Sequence, residues 1–121
     1  MGKGAGPMMN VVLVALGGAA GSVLRYWVQL ALNASWFPWG TLAVNISGSA
    51  IIGLLAGLGV AGPGRLLFVT GLLGGFTTFS AFSLEAMELY ERSIFLAAGY
   101  VAASVGLSLL VCAAMYTAVR G

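Results

Sequence analysis

Apolar residues fall in four long runs along this chain: Val11 to Leu32, Gly40 to Gly62, Leu66 to Glu91 and Ile94 to Val119. About 20 consecutive apolar residues cross a bilayer core as an α-helix. Each run is therefore predicted to be a transmembrane helix, and residues 1–121 a single all-α, four-helix membrane domain. Met1 to Asn10 is Gly-rich and reads as a frayed tail. It is not read as a signal peptide, because the membrane-like character persists to the end of the sequence. Asn33 to Trp39 carries Trp36, Pro38 and Trp39, as suits a loop at headgroup level. Gly62-Pro63-Gly64-Arg65 is a tight turn.

The third run departs from the pattern in its middle. There the sequence is Gly71-Leu72-Leu73-Gly74-Gly75-Phe76-Thr77-Thr78-Phe79-Ser80-Ala81-Phe82-Ser83. Each Gly costs a helix roughly 1 kcal/mol relative to Ala. Four hydroxyls, on Thr77, Thr78, Ser80 and Ser83, stand where hydrocarbon is expected. One reading is a helix that opens at Gly74-Gly75, with freed backbone groups lining a polar site. The other is a close-packed helix contact, where small and hydroxylated residues are also common.

Composition narrows the class. Hydrophobic residues make up 60% and charged residues 7%, against about 25% charged in soluble domains. The net charge of +2 gives no ground for nucleic-acid binding. There is no His and no Asp, and the single Cys112 lies in an apolar run. Glu85, Glu88 and Glu91 are the only carboxylates and follow one another at a helix end. No nucleophile–base pair or metal-binding cluster emerges, so the chain is not expected to be an enzyme. Any transport is expected to be passive or coupled to an ion gradient.

Few polar groups remain inside the spans, and each has two readings. Asn45, in the second run, is either an interhelical hydrogen-bonding residue or a donor aimed at an anion. Arg25, about two turns from the end of the first run, either snorkels to the interface or lines an aqueous vestibule. Tyr100, Ser104 and Ser108 recur at i, i+4 and i+8 and so share a helix face. They form a track of hydroxyls, or else bond back to their own helix. Phe79 and Phe82 are neighbours on one face, and aromatic edges carry positive potential. Most of these groups can donate a hydrogen bond and no carboxylate lies deep in a span, which favours an anion over a cation. In the first run, Gly17 and Gly21 form a G-x-x-x-G face for close helix approach. Lys3, Arg65 and Arg120 fall on one side of the membrane, with Arg92, and Arg25 on one reading, on the other. So weak a bias permits insertion both ways up. Four helices are also too few to enclose a pore comfortably, which favours an oligomer.

These pieces together resemble the Fluc/CrcB family of fluoride channels. The likeness rests on Gly17-Gly18-Ala19-Ala20-Gly21 followed by Arg25-Tyr26, on Gly40-Thr41-Leu42-Ala43-Val44-Asn45-Ile46-Ser47-Gly48, and on Gly74 to Ser83, in the family's order and spacing. It implies an antiparallel, dual-topology homodimer in the plasma membrane (the bacterial inner membrane), with the third helix broken mid-membrane. Two separate pathways would pass F⁻ and reject Cl⁻, lowering cytoplasmic fluoride. By the same resemblance, Asn45, Phe79, Phe82, Tyr100, Ser104, Ser108, Arg25 and Glu85 belong to the anion pathway. A structural Na⁺ at the dimer centre would be held by the backbone carbonyls of Gly74 and Thr77. Ala81 stands where the family often has Thr, which removes one hydroxyl between the phenylalanines. Two rivals share the outline: a proton-coupled small multidrug-type exporter and a non-transporting packing subunit. The first needs a titratable carboxylate in the membrane, usually in the first helix, and this one has none. The second leaves Asn45 and the helix break unexplained.

Overall fold

The computed structural model describes residues 6–120. Helix α1 spans Pro7–Leu32, with Pro at its first position, where the missing N–H costs nothing. Of the expected N-terminal tail, residues 1–5 lie outside the described residues, while Pro7 to Asn10 form the first turn of α1. Helix α2 spans Trp39–Gly57. It stops five residues before the apolar run does, because Gly59 and Gly62 adopt φ of +79° and +65°. That left-handed geometry suits glycine and ends a helix.

The third segment is composite. A turn, α3 (Gly62–Gly64), leads into a π-helical stretch, π1 (Arg65–Leu73), then into α4 (Gly74–Phe76). The helix lapses at Thr77, whose backbone is extended (φ −81°, ψ 158°). It resumes as α5, Ser80–Arg92. After an extended Ser93, α6 runs from Ile94 to Arg120. The chain thus has four helical segments long and apolar enough to cross a membrane: Pro7–Leu32, Trp39–Gly57, Gly62–Arg92 and Ile94–Arg120. The described residues are all helix and connecting turn, without strands.

The lapse does not occur at the paired glycines. Gly74 and Gly75 are both helical, and the opening comes immediately after, over Thr77 to Phe79. Gly75 serves packing instead, while a Cβ on Gly74 would meet only ordinary contact. A Cβ on Gly75 would lie 2.5 Å from the Gly18 carbonyl oxygen of α1. Cβ atoms on Gly17 and Gly21 would collide with the carbonyls of Leu67 and Leu72. Backbone therefore meets backbone along this seam, as small residues permit between membrane helices.

The segment changes partner across the lapse. Stretches π1 and α4 pack on α1, whereas α5 packs on α6, and α6 itself packs along α2. A hydrophobic cluster of Phe37, Phe82, Leu89, Ala97 and Tyr100 binds the α5–α6 end. Most other large apolar side chains face outward, as a lipid-immersed bundle requires.

Candidate functional site

The lapse at Thr77–Phe79 leaves backbone groups without their helical partners, and each can be followed. The Thr78 N–H would bond the Gly74 carbonyl in a continuous helix. It donates instead to Asn45 Oδ1 at 2.9 Å. In return, Asn45 Nδ2 donates to the Thr78 carbonyl at 3.0 Å. The Ala81 N–H, the helical donor for Thr77 O, goes to Thr78 Oγ1 at 3.1 Å. That bond satisfies a free N–H in the first turn of α5 from the residue before its N-cap, Phe79. Arg25 Nε donates to the Gly75 carbonyl at 3.1 Å. The Thr77 hydroxyl donates to Leu73 O at 3.0 Å. Two carbonyls, Gly74 O and Thr77 O, have thereby lost their helical donors to other acceptors.

A cleft of about 440 Å³ opens between α2, the third segment and α6. Asn45, Gly48 and Ser49 line it from α2, Thr77 and Thr78 from the lapse, and Ser104 and Ser108 from α6. Phe79 and Phe82 also face it. Its lining contains no charged side chain. Gly48 lets the backbone step aside for Thr77: a Cβ there would strike the Thr77 methyl. Ser104 and Ser108 have buried hydroxyl oxygens with no hydrogen-bond partner among the described residues. Back-bonding to their own helix, the alternative for these serines, does not occur. A buried, unpaired hydroxyl costs about 1–3 kcal/mol, so two on one wall of a cleft indicate donors kept for a ligand or water.

The aromatic rings form a staircase beside these serines. Phe79 and Phe82 have ring centroids 5.7 Å apart, and Phe82 and Tyr100 5.1 Å. Phe79 is 76% exposed in the single subunit, whereas Phe82 is buried. Tyr100 is fully buried, and its hydroxyl donates to Glu85 Oε1 at 3.2 Å. It does not open toward the serine cleft, so the expected hydroxyl track divides into Ser104–Ser108 and a separate Tyr100–Glu85 pair.

Of the expected site residues, Asn45, Gly74, Thr77, Phe79, Phe82, Ser104 and Ser108 gather at the cleft. Arg25 reaches the same lapse from α1 through Gly75. Glu85 instead lines a second, polar cavity of about 280 Å³ with Asn33, Glu88 and Arg92. Sequence reasoning noted the Thr78 hydroxyl but gave it no partner; the structure pairs Thr78 with Asn45 and with the first turn of α5. It passed over Gln29, Asn33 and Thr41, which tie the end of α1 to the start of α2 and, through Asn33, to Glu85. The i, i+4 spacing of Gln29 and Asn33, two carboxamides on one face, was the available signal.

Residues 12–116 match the family described as CrcB-like protein, Camphor Resistance (CrcB). The chain belongs to the CrcB-like family. Among similar relatives, a protein of Rhizobium johnstonii is 56% identical, over 84% of this chain and 89% of its own length. One of Agrobacterium fabrum is 52% identical over the same shares. One of Paramagnetospirillum magneticum is 46% identical, over 85% of this chain and 89% of its own. Each bears the name fluoride-specific ion channel FluC. The CrcB-like match takes in the whole cleft and the whole lapse.

Proposed function

We propose that this CrcB-like protein is a fluoride channel rather than an enzyme, a multi-pass protein of the plasma membrane that passes F⁻ down its gradient and so lowers cytoplasmic fluoride. The observation that carries the reading is the pair of orphaned hydroxyls, Ser104 and Ser108, facing an uncharged cleft beside Phe79 and Phe82. A small, strongly hydrated anion gives up water only where donors replace it. Hydroxyl protons and ring edges supply that replacement without a fixed positive charge that would trap the ion. Asn45 contributes by position: its bonds to Thr78 fix the cleft's polar wall, and its second amide proton is left over from that pair.

The functional unit in this proposal is an antiparallel, dual-topology homodimer with two pathways, the third segment being discontinuous at mid-membrane depth. The cleft is open-sided in one subunit, and Phe79 projects from it. A second copy is the partner that would complete the wall. The carbonyls of Gly74 and Thr77, without their helical donors among the described residues, fit a hard monovalent cation, since such ions take oxygen ligands and unwound carbonyls hold them in other membrane proteins. They would hold a structural Na⁺ at the dimer centre, where the ion supplies charge compensation for carbonyl dipoles.

Liposomes loaded with fluoride and reconstituted with the purified protein test the reading. A fluoride electrode should record efflux without ATP or a proton gradient. Absence of efflux from folded, dimeric protein would overturn it.

A further inference from the structure

We infer that Asn33 is a positioning residue for this pathway: it clamps the Glu85 carboxylate and thereby fixes the direction of the Tyr100 hydroxyl. The inference rests on the channel reading only for its consequence in conduction; the clamp itself rests on geometry. Asn33 follows the last turn of α1, and its side chain works at both ends. Oδ1 accepts from the N–H groups of Gly40 (2.7 Å) and Thr41 (3.1 Å), the opening turn of α2. Nδ2 donates to Glu85 Oε2 at 3.3 Å. The other carboxylate oxygen accepts from the fully buried Tyr100 hydroxyl at 3.2 Å. One turn earlier on α1, Gln29 Nε2 donates to Thr41 Oγ1 at 2.9 Å, and Thr41 is itself fully buried. Asn33 is thus fixed by backbone on one side and presents a fixed donor on the other.

Two donors then share the Glu85 charge, one on each oxygen, at the end of the Phe79–Phe82–Tyr100 staircase. Glu88 and Arg92 face the same polar cavity from α5, but no ion pair to Glu85 stands among the described residues. Without Asn33 the carboxylate would be free to turn, Tyr100 would lose its acceptor, and an undivided negative charge would confront an anion.

The discriminating variant is Asn33→Asp. Its carboxylate still accepts from Gly40 and Thr41, where a negative group suits a helix start, but it has no donor for Glu85. Fluoride efflux should fall by about tenfold, the scale of a lost coupled contact, with the protein still eluting as a dimer and a lower thermal midpoint from the two carboxylates brought together. Asn33→Ser, too short to reach either Glu85 or the α2 amides, should lose at least as much efflux, with a lower thermal midpoint. In an Glu85→Gln background, Gln can donate to the new Asp and still accept from Tyr100. There Asn33→Asp should change efflux by less than about twofold. An independent readout is the ¹³Cζ resonance of Tyr100, assigned with Tyr100→Phe. It should move in Asn33→Asp and return in the double variant. Unchanged efflux in both Asn33 variants, or an equal loss in the Glu85→Gln background, would overturn the inference. Should wild-type protein pass no fluoride, the channel reading falls, and a Tyr100 resonance indifferent to Asn33→Asp would separately dispose of the clamp.

Discussion

Asn45 and Thr78 close a two-bond ring across the gap between α2 and the interrupted segment. The amide donates to the Thr78 carbonyl at 3.0 Å and accepts from its N–H at 2.9 Å. The side chain thereby imitates a strand neighbour, pairing with one residue that has left the helix. The lapse is consequently a defined conformation rather than a loose bend, because both polar groups of Thr78 have a partner of fixed geometry.

Asn45→Leu should therefore be a stability variant as much as a transport variant. It strands one N–H and one C=O away from water, each costing about 1–3 kcal/mol. The thermal midpoint of the detergent-solubilised protein should fall by several degrees, with efflux lost. Asn45→Asp keeps the acceptor for Thr78 N–H and loses only the donor, so its midpoint should lie between Leu and wild type. Equal midpoints for Leu and wild type would show that the ring does not hold the segment.

The serines of α6 should behave in the opposite way. Ser104 and Ser108 donate to nothing among the described residues, so truncation removes no internal hydrogen bond. Replacing an unpaired buried hydroxyl by a methyl is neutral or stabilising. Ser104→Ala and Ser108→Ala should keep the thermal midpoint, or raise it, while slowing fluoride efflux. Wild-type efflux from the double alanine variant would take these hydroxyls out of the pathway.

The four spans were legible because apolar length alone identifies a membrane helix, and the polar residues of the cleft were legible because each is out of place in hydrocarbon. The position of the lapse was not. Glycine reads as a helix breaker from propensity, yet Gly75 lies against the Gly18 carbonyl and Gly17 against π1. Tertiary contact decides whether a glycine breaks a helix or lets one pack, and that contact comes from residues fifty or more positions away. The π-helical course of Arg65–Leu73 left no mark in the sequence for the same reason. Tyr100 likewise shares the helix face of Ser104 and Ser108 by spacing, but Glu85 on α5 claims its proton.

Gly75→Ala tests the packing role directly. The added Cβ would lie 2.5 Å from the backbone oxygen of Gly18, which cannot rotate away. Forcing atoms into a packed seam costs about 1–3 kcal/mol, although alanine is the better helix former by roughly 1 kcal/mol. The net expectation is a lower thermal midpoint. A higher one would return Gly75 to the role of a helix breaker. Gly99→Ala on α6, where a Cβ would meet open space, serves as the control and should be neutral or stabilising.

The proposed Na⁺ yields the most selective prediction, because its ligands are carbonyls that no side-chain change removes. Purification in a large organic cation instead of Na⁺ should shift the protein from dimer toward monomer on size exclusion. Thr77→Val keeps the Thr77 carbonyl and loses only a hydroxyl bonded to Leu73, so dimerisation should stay Na⁺-dependent. Thr78→Val acts differently. It deprives the Ala81 N–H of its acceptor, and the nearest replacement along the helix is the Thr77 carbonyl itself. That carbonyl would then be occupied, and higher Na⁺ should be needed to hold the dimer. A dimer indifferent to the cation in all three proteins would exclude a metal at this lapse, and with it the reason for leaving Gly74 and Thr77 without helical donors.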